Sequence, residues 1–188
     1  MNILLISGSL PAGSTNTALL RTAQAVASGG TKAVLYEGMN GLPHFNPDDD
    51  HEPLHPAVAD LRANIKAADA LLFSTPEYAG DLPGSFKNLL DWTVGGGEIS
   101  QKPVAWVNVF SVASPKGGAD VHESLRGVLG YVGAEIVEAA CLRMPLTRDL
   151  IGADGLIAAA EVRRQIAGVL EALTQHVQNA YPENAAGE

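Results

Sequence analysis

The sequence predicts an α/β domain in which a five-stranded parallel sheet carries helices on both faces. Two observations carry that expectation. Ala70, Leu71, Leu72 and Phe73, and later Pro103 to Phe110, form unbroken apolar runs, as strands covered on both sides of a parallel sheet must. Between such runs lie segments whose apolar residues recur at helical spacing, so strand and helix alternate along the chain.

Asn2 to Ser7 predicts the first strand, and Thr17 to Ala27 a helix with Leu19, Ala23 and Val26 on one face. Thr31 to Tyr36 is the second strand. Gly38 to Pro56, rich in Pro, Asp and His, predicts an irregular loop leading to a helix near Val58 to Ala67. The third strand stops at Pro76. In the helix after it Leu82, Phe86, Leu89 and Leu90 share a face, with Asp81 as the expected cap and Pro83 in the first turn. Gly95, Gly96 and Gly97 break the chain before the fourth strand, Pro103 to Phe110. The loop SVASPKGGA leads to a helix through Leu125, Val128 and Leu129, and then to a fifth strand around Glu135 to Ala139. Val162, Ile166, Val169, Leu170, Leu173 and Val177 mark an amphipathic closing helix. Residues 1–180 are expected to form a single domain, and the tail 181–188, with little to bury, to fray.

A formal net charge of −9 argues against a nucleic-acid or anionic-membrane partner, since either needs a clustered basic footprint. No stretch approaches the roughly 20 apolar residues of a membrane span, and the N-terminus lacks the basic start of a secretory signal. With Cys141 as its single cysteine the chain makes no intramolecular disulfide, and a cytoplasmic protein is expected.

Chemistry concentrates at two strand ends. The loop GSLPAGSTN holds Ser9, Leu10, Ser14, Thr15 and Asn16 between the first strand and a helix N-terminus, where hydroxyls, free amides and the helix dipole suit a phosphate. It matches neither the G-x-x-x-x-G-K-[ST] nor the G-x-G-x-x-G fingerprint, and Ser14 or Thr15 capping the first helix is an equal alternative. After the third strand, Pro76, Glu77, Tyr78, Ala79 and Gly80 make a turn with one aromatic, one acid and one glycine, placed where an open sheet receives a planar ligand. Lys87 and Asp91 stand four apart and predict a surface ion pair. His44, His51 and His55 lie near Asp48, Asp49 and Asp50, but their spacing fits no zinc site, so a solvated loop and no metal are expected. Trp92 and Trp106 are expected in the core or at a subunit interface.

GSLPAGSTN, PEYAGDLPGSFKNLLDW and KGGADVHESLR, in that order over roughly Met1 to Val137, resemble the NAD(P)H-dependent FMN reductase family, which has a flavodoxin-like fold. The resemblance implies that Ser9, Ser14 and Asn16, in a block with Leu10 and Thr15, hold the FMN phosphate. It implies that Pro76, Glu77, Tyr78 and Gly80 line the isoalloxazine ring, Ala79 offering its backbone N–H, while Ser111, Gly117 and Gly118 belong to the loop that closes over it. Two positions depart from the family pattern: Pro11 stands where an arginine is usual, and Ala79 where an asparagine is usual. The implied activity passes hydride from NADPH or NADH to FMN and on to a small acceptor such as a flavin, a quinone or another oxidant. No side chain is expected to be catalytic, because this transfer needs no protein base, and Glu77 is read as fixing its turn ahead of serving as an acid. The alternative is a flavin-binding electron carrier that uses no pyridine nucleotide. The resemblance also implies a homodimer or homotetramer. The helix carrying Phe86, Leu89, Leu90 and Trp92 has more apolar side chains than one core stripe needs, so some are expected to meet a partner subunit.

Overall fold

A computed structural model describes residues 1–180; the tail expected to fray lies outside the described residues. Strands β1 (Asn2–Ser7), β2 (Lys32–Tyr36), β3 (Ala70–Thr75), β4 (Pro103–Phe110) and β5 (Glu135–Ile136) form a parallel sheet in the order β2-β1-β3-β4-β5, and β6 (Leu142–Pro145) also pairs with β4. This is the doubly wound order of the flavodoxin-like fold, in which every strand runs parallel and the order of winding reverses between β1 and β3. The helices are α1 (Thr15–Val26), α2 (Pro56–Ala67), α3 (Gly84–Asp91), α4 (Ala119–Tyr131) and α5 (Ala160–Ala180).

Alternation along the strands builds two cores. Ile3, Leu5, Leu72 and Val107 point to the face covered by Leu19, Leu20 and Ala23 of α1 and Ile166, Leu170 and Leu173 of α5. Leu4, Ile6, Leu71, Phe73 and Trp106 point to the other, under Leu61 and Ile65 of α2, Phe86 and Leu89 of α3, and Leu125 and Leu129 of α4. A strand flanked by helices on both faces has no polar side to expose, which is why β1, β3 and β4 read as continuous apolar runs.

Four expectations are corrected. The predicted fifth strand, Glu135 to Ala139, is cut after Ile136 by a 3₁₀ turn over Glu138–Ala140, and β6 resumes pairing beyond it. Asp81 does not cap α3: Pro83 is its N-cap, and the Asp81 carboxylate accepts instead from Leu82 N at 2.7 Å. The segment from Gly38 to Pro56 contains two short 3₁₀ turns, and His55 is the N-cap of α2, its Nδ1 accepting from Ala57 N. Finally, Phe86, Leu89, Leu90 and Trp92 face no partner subunit, because all four are buried within the chain. Phe86 packs on Phe73 of the sheet, and the loop before α2 packs on Trp92. Phe45 meets Trp92 edge to face at 5.0 Å, and Trp92 Nε1 donates to Pro43 O at 2.8 Å. Asn88 holds the same loop through Phe45 N and Pro43 O, while the Arg62 guanidinium bonds both Trp92 O and Asp50. Trp106 is likewise in the core, Lys87 and Asp91 pair at 2.5 Å, and Cys141 packs against both cores with its thiol pushed up to about 12 by burial.

Candidate functional site at the carboxyl ends of the strands

The central strands are apolar until their last residues, where Ser7 ends β1, Ser74 and Thr75 end β3, and Asn108 lies near the end of β4, all buried. Register places them side by side: Ser7 pairs with Ser74, and Thr75 with Asn108. Burying such groups is favourable only when they are bonded. Ser7 Oγ meets Thr17 Oγ1 at 3.0 Å, Ser74 Oγ donates to Asn16 Oδ1 at 3.0 Å, and Thr75 Oγ1 donates to Pro76 O. The sheet therefore ends in a polar floor that fixes the two loops above it. Gly8 closes this corner: a Cβ there would lie 2.5 Å from Thr75 Oγ1 and 2.9 Å from the Phe86 ring, so only glycine lets β1 leave the sheet so close to β3.

At the first loop, Ser14 is the N-cap of α1, its hydroxyl accepting from Asn16 N at 3.2 Å and Thr17 N at 3.4 Å. The capping alternative is thus realised, and the hydroxyl proton of Ser14 is still available to a ligand. The amide of Asn16, whose Oδ1 is held by Ser74, presents its NH₂ group as a donor.

At the second loop, Tyr78 and Asp81 exchange both backbone hydrogen bonds, at 3.0 and 3.1 Å, around Ala79 (φ +53°) and Gly80 (φ +78°). Two successive left-handed residues make a tight hairpin turn that stands Tyr78 in solvent, 53% exposed. Glu77 ties this turn to α4: its Oε2 accepts from Val121 N at 3.3 Å, in the first turn of a helix whose N-cap, Gly118, has no side chain. Gly117 and Gly118, both left-handed, make the bend into α4.

Beneath that helix, Trp106 Nε1 donates to His122 Nδ1 at 2.9 Å, and the Asn108 amide lies 2.7 Å from the same nitrogen. Indole is only a donor, so Nδ1 accepts, and the Asn108 amide sits best with its NH₂ toward the imidazole, giving a partner to a nitrogen otherwise without one. Burial, then Arg126 and Arg143, push the His122 pKa below its ordinary 6.5, against the weaker pull of Glu123 and Glu138.

A groove of about 420 Å³ runs over the floor, lined by Thr15, Asn16, Pro76, Glu77 and Ser111, all expected from the sequence, and by Ser114, Thr147 and Arg148, which were not. Ser14 lines an adjoining groove of about 310 Å³ with Gly13, Arg21 and Arg148. Ser9, Leu10, Tyr78, Ala79, Gly80, Gly117 and Gly118 stand in the surrounding loops without lining either groove. The missed residues come from the loops after β4 and β6. Ser114 carried a faint signal, standing in a loop of the kind that follows the other two strands, whereas Thr147 and Arg148 follow a four-residue strand too short and too little buried to predict.

A model of the NADPH-dependent FMN reductase family matches residues 1–149. The chain is 33% identical to an NAD(P)H-dependent FMN reductase of Pseudomonas aeruginosa, over 92% of this chain and 93% of that one. It is 28% identical to a quinone reductase of Escherichia coli over 73% of each. Among solved structures it resembles FerB, a flavoenzyme NAD(P)H:acceptor oxidoreductase from Paracoccus denitrificans, with a TM-score of 0.82 and 25% identity, covering 95% of this chain and 97% of that one.

Proposed function

Since this chain belongs to the NADPH-dependent FMN reductase family, we propose that its groove at the carboxyl ends of β1, β3 and β4 holds FMN for an NAD(P)H-dependent reduction of a small acceptor, a flavin or a quinone. The observation that carries this reading is the convergence of Thr15, Asn16, Pro76, Glu77 and Ser111 from three separate loops on one groove. The donor set fits the cofactor. The hydroxyls of Thr15, Ser111 and Ser114 and the NH₂ group of Asn16 are neutral donors beside a helix N-terminus, suited to a phosphate. Ser9 and the Ser14 hydroxyl belong to the same loop. The backbone from Pro76 to Gly80 offers a flat edge for the ring, with Tyr78 free to cover it, and Ser111, Gly117 and Gly118 belong to the opposite wall.

FMN held there would supply the hydride-accepting chemistry that links a nicotinamide to the acceptor. The protein's part is to hold and orient. Glu77 is committed to Val121 N, which makes it a positioning residue for the ring-binding turn rather than an acid. Ser74 aims Asn16, and the hairpin turn fixes the backbone from Tyr78 to Asp81 before ligand arrives. No helix among the described residues is long and apolar enough to cross a membrane, and we place the protein in the cytoplasm, beside the nicotinamide pools it draws on. Exposed Leu10, Tyr78 and Val112 stand on the three loops around the groove, which supports a homo-oligomer that covers them.

The test is direct. Purified protein titrated with FMN should bind one equivalent per chain, with FAD weaker because the loop ends on a terminal phosphate. NADPH or NADH oxidation should then depend on added FMN and an acceptor such as a quinone. Tight FMN binding with no nicotinamide oxidation would favour the electron-carrier alternative instead.

A further inference from the structure

The family pattern puts an arginine beside the phosphate where this chain has Pro11, yet the groove is not without a cation. Most arginines of this acidic chain are occupied: Arg62 by Asp50 and Trp92 O, Arg126 by Glu138, Arg143 by Lys116 O and Gly117 O, Arg163 by Ile157 O, and Arg164 by Glu161. Among the described residues Arg21 and Arg148 have no acceptor, and both line the groove beside Ser14. Arg148 alone also lines the larger groove with Thr15, Asn16 and Glu77.

Resting on the FMN reading above, we propose that Arg148 grips the flavin phosphate from across the groove, supplying the charge that position 11 lacks. Its backbone is anchored for the task. Leu146 N bonds Phe110 O at the end of β4, Ala158 N bonds Leu150 O, and Ile157 N bonds the Thr22 hydroxyl of α1 at 2.9 Å. The segment carrying Arg148 is therefore tied on one side to the sheet and on the other to the helix whose N-terminus lies in the groove. Arg148 and the positive end of α1 face one groove, and its carboxylate, Glu77, is already bonded to Val121 N, so the groove presents positive potential that a dianion can use. A dianionic phosphate between them would take charge-assisted bonds from the guanidinium, and the NH₂ group of Asn16, a residue only 3% exposed whose oxygen is already taken, adds a donor from the floor. Proline at 11 stiffens the loop, and the cation comes instead from a segment far along the chain.

Flavin fluorescence titration of FMN and riboflavin against wild type, Arg148→Gln, Arg21→Gln, and Arg148→Gln combined with Pro11→Arg tests this. Arg148→Gln should weaken FMN by about 10- to 100-fold, the range for a charge-assisted hydrogen-bond pair, and leave riboflavin unchanged. It should also flatten the salt dependence of FMN affinity. Adding Pro11→Arg should restore much of the loss, and in the wild-type background the same change should gain less. Arg148 and Arg21 are exposed, so unchanged urea midpoints are expected for their single variants, and a small drop for the one that also loses Pro11. FMN affinity unchanged in Arg148→Gln overturns the proposal and leaves the FMN reading standing, as does an equal loss of FMN and riboflavin. A loss confined to Arg21→Gln moves the phosphate to the adjoining groove and also overturns it. Wild type that binds neither flavin removes the FMN reading itself.

Discussion

Ala79 shows how a single residue can work against the turn that places it. It occupies the first central position of a two-residue hairpin loop at φ +53°, a conformation that costs a Cβ-bearing residue about 1–2 kcal/mol and that asparagine tolerates through local hydrogen bonding. The exchanged bonds between Tyr78 and Asp81 hold it there. Ala79→Asn, which restores the residue usual in the family, should therefore stabilise the chain by about 0.5–1 kcal/mol, read as a higher urea midpoint at unchanged slope. A midpoint that stays put or falls would mean the turn relaxes around alanine at no cost. The identity of position 79 was legible as a departure from the family pattern, but its φ was not: P-E-Y-A-G-D gives no alternation that marks a hairpin, and Ala is not a residue from which a left-handed turn is read.

At the scale of elements, the apolar runs revealed β1, β3 and β4 because each is buried on both faces, and the serine-rich loop revealed the N-terminus of α1 because capping and phosphate binding use the same residues. The edge was harder. β6 buries only Met144 among its four residues, and the 3₁₀ turn before it breaks the period, so neither the strand nor the Arg148 that follows it left a pattern to read. Nor did the sequence reveal that α4 is held from below by Trp106, His122 and Asn108, since the three meet only when β4 and α4 are packed. That packing has a pH consequence. His122 is kept neutral in the folded chain, so its contribution to stability is fully present above its unfolded pKa of about 6.5 and is lost as pH falls through the lower folded value. Urea unfolding at stepwise pH from 7.5 to about 5 should show stability declining across that window, and His122→Gln, which keeps an acceptor for the indole but cannot titrate, should flatten the decline. An equally steep decline in His122→Gln would assign it to other groups. The signal should be a change of slope, because any packing cost of Gln is the same at every pH.

For the whole molecule, the groove proposed for FMN ties ligand binding to the fold. Its walls are the loops after β1, β3, β4 and β6, so anything that binds across them must favour the state in which all four strands are paired. A ligand present at 100 times its Kd stabilises the folded state by about 2.7 kcal/mol. For a chain of this size each kcal/mol raises Tm by roughly 2–4 °C, so FMN should raise it by about 5–10 °C under those conditions. Riboflavin at the same concentration should give a smaller rise, because it lacks the phosphate that α1 and Arg148 would hold. Assembly enters through the same measurement. The apolar residues of α3 are buried within the chain, and the site-rim side chains Leu10, Tyr78 and Val112 are among the exposed apolar residues that a second copy would cover. If the subunits associate there, Tm should climb with protein concentration, FMN should steepen rather than abolish that climb, and sedimentation should show a species larger than 19.5 kDa. A concentration-independent Tm together with a monomer in sedimentation would remove the oligomer while leaving the flavin shift as an independent test of the groove.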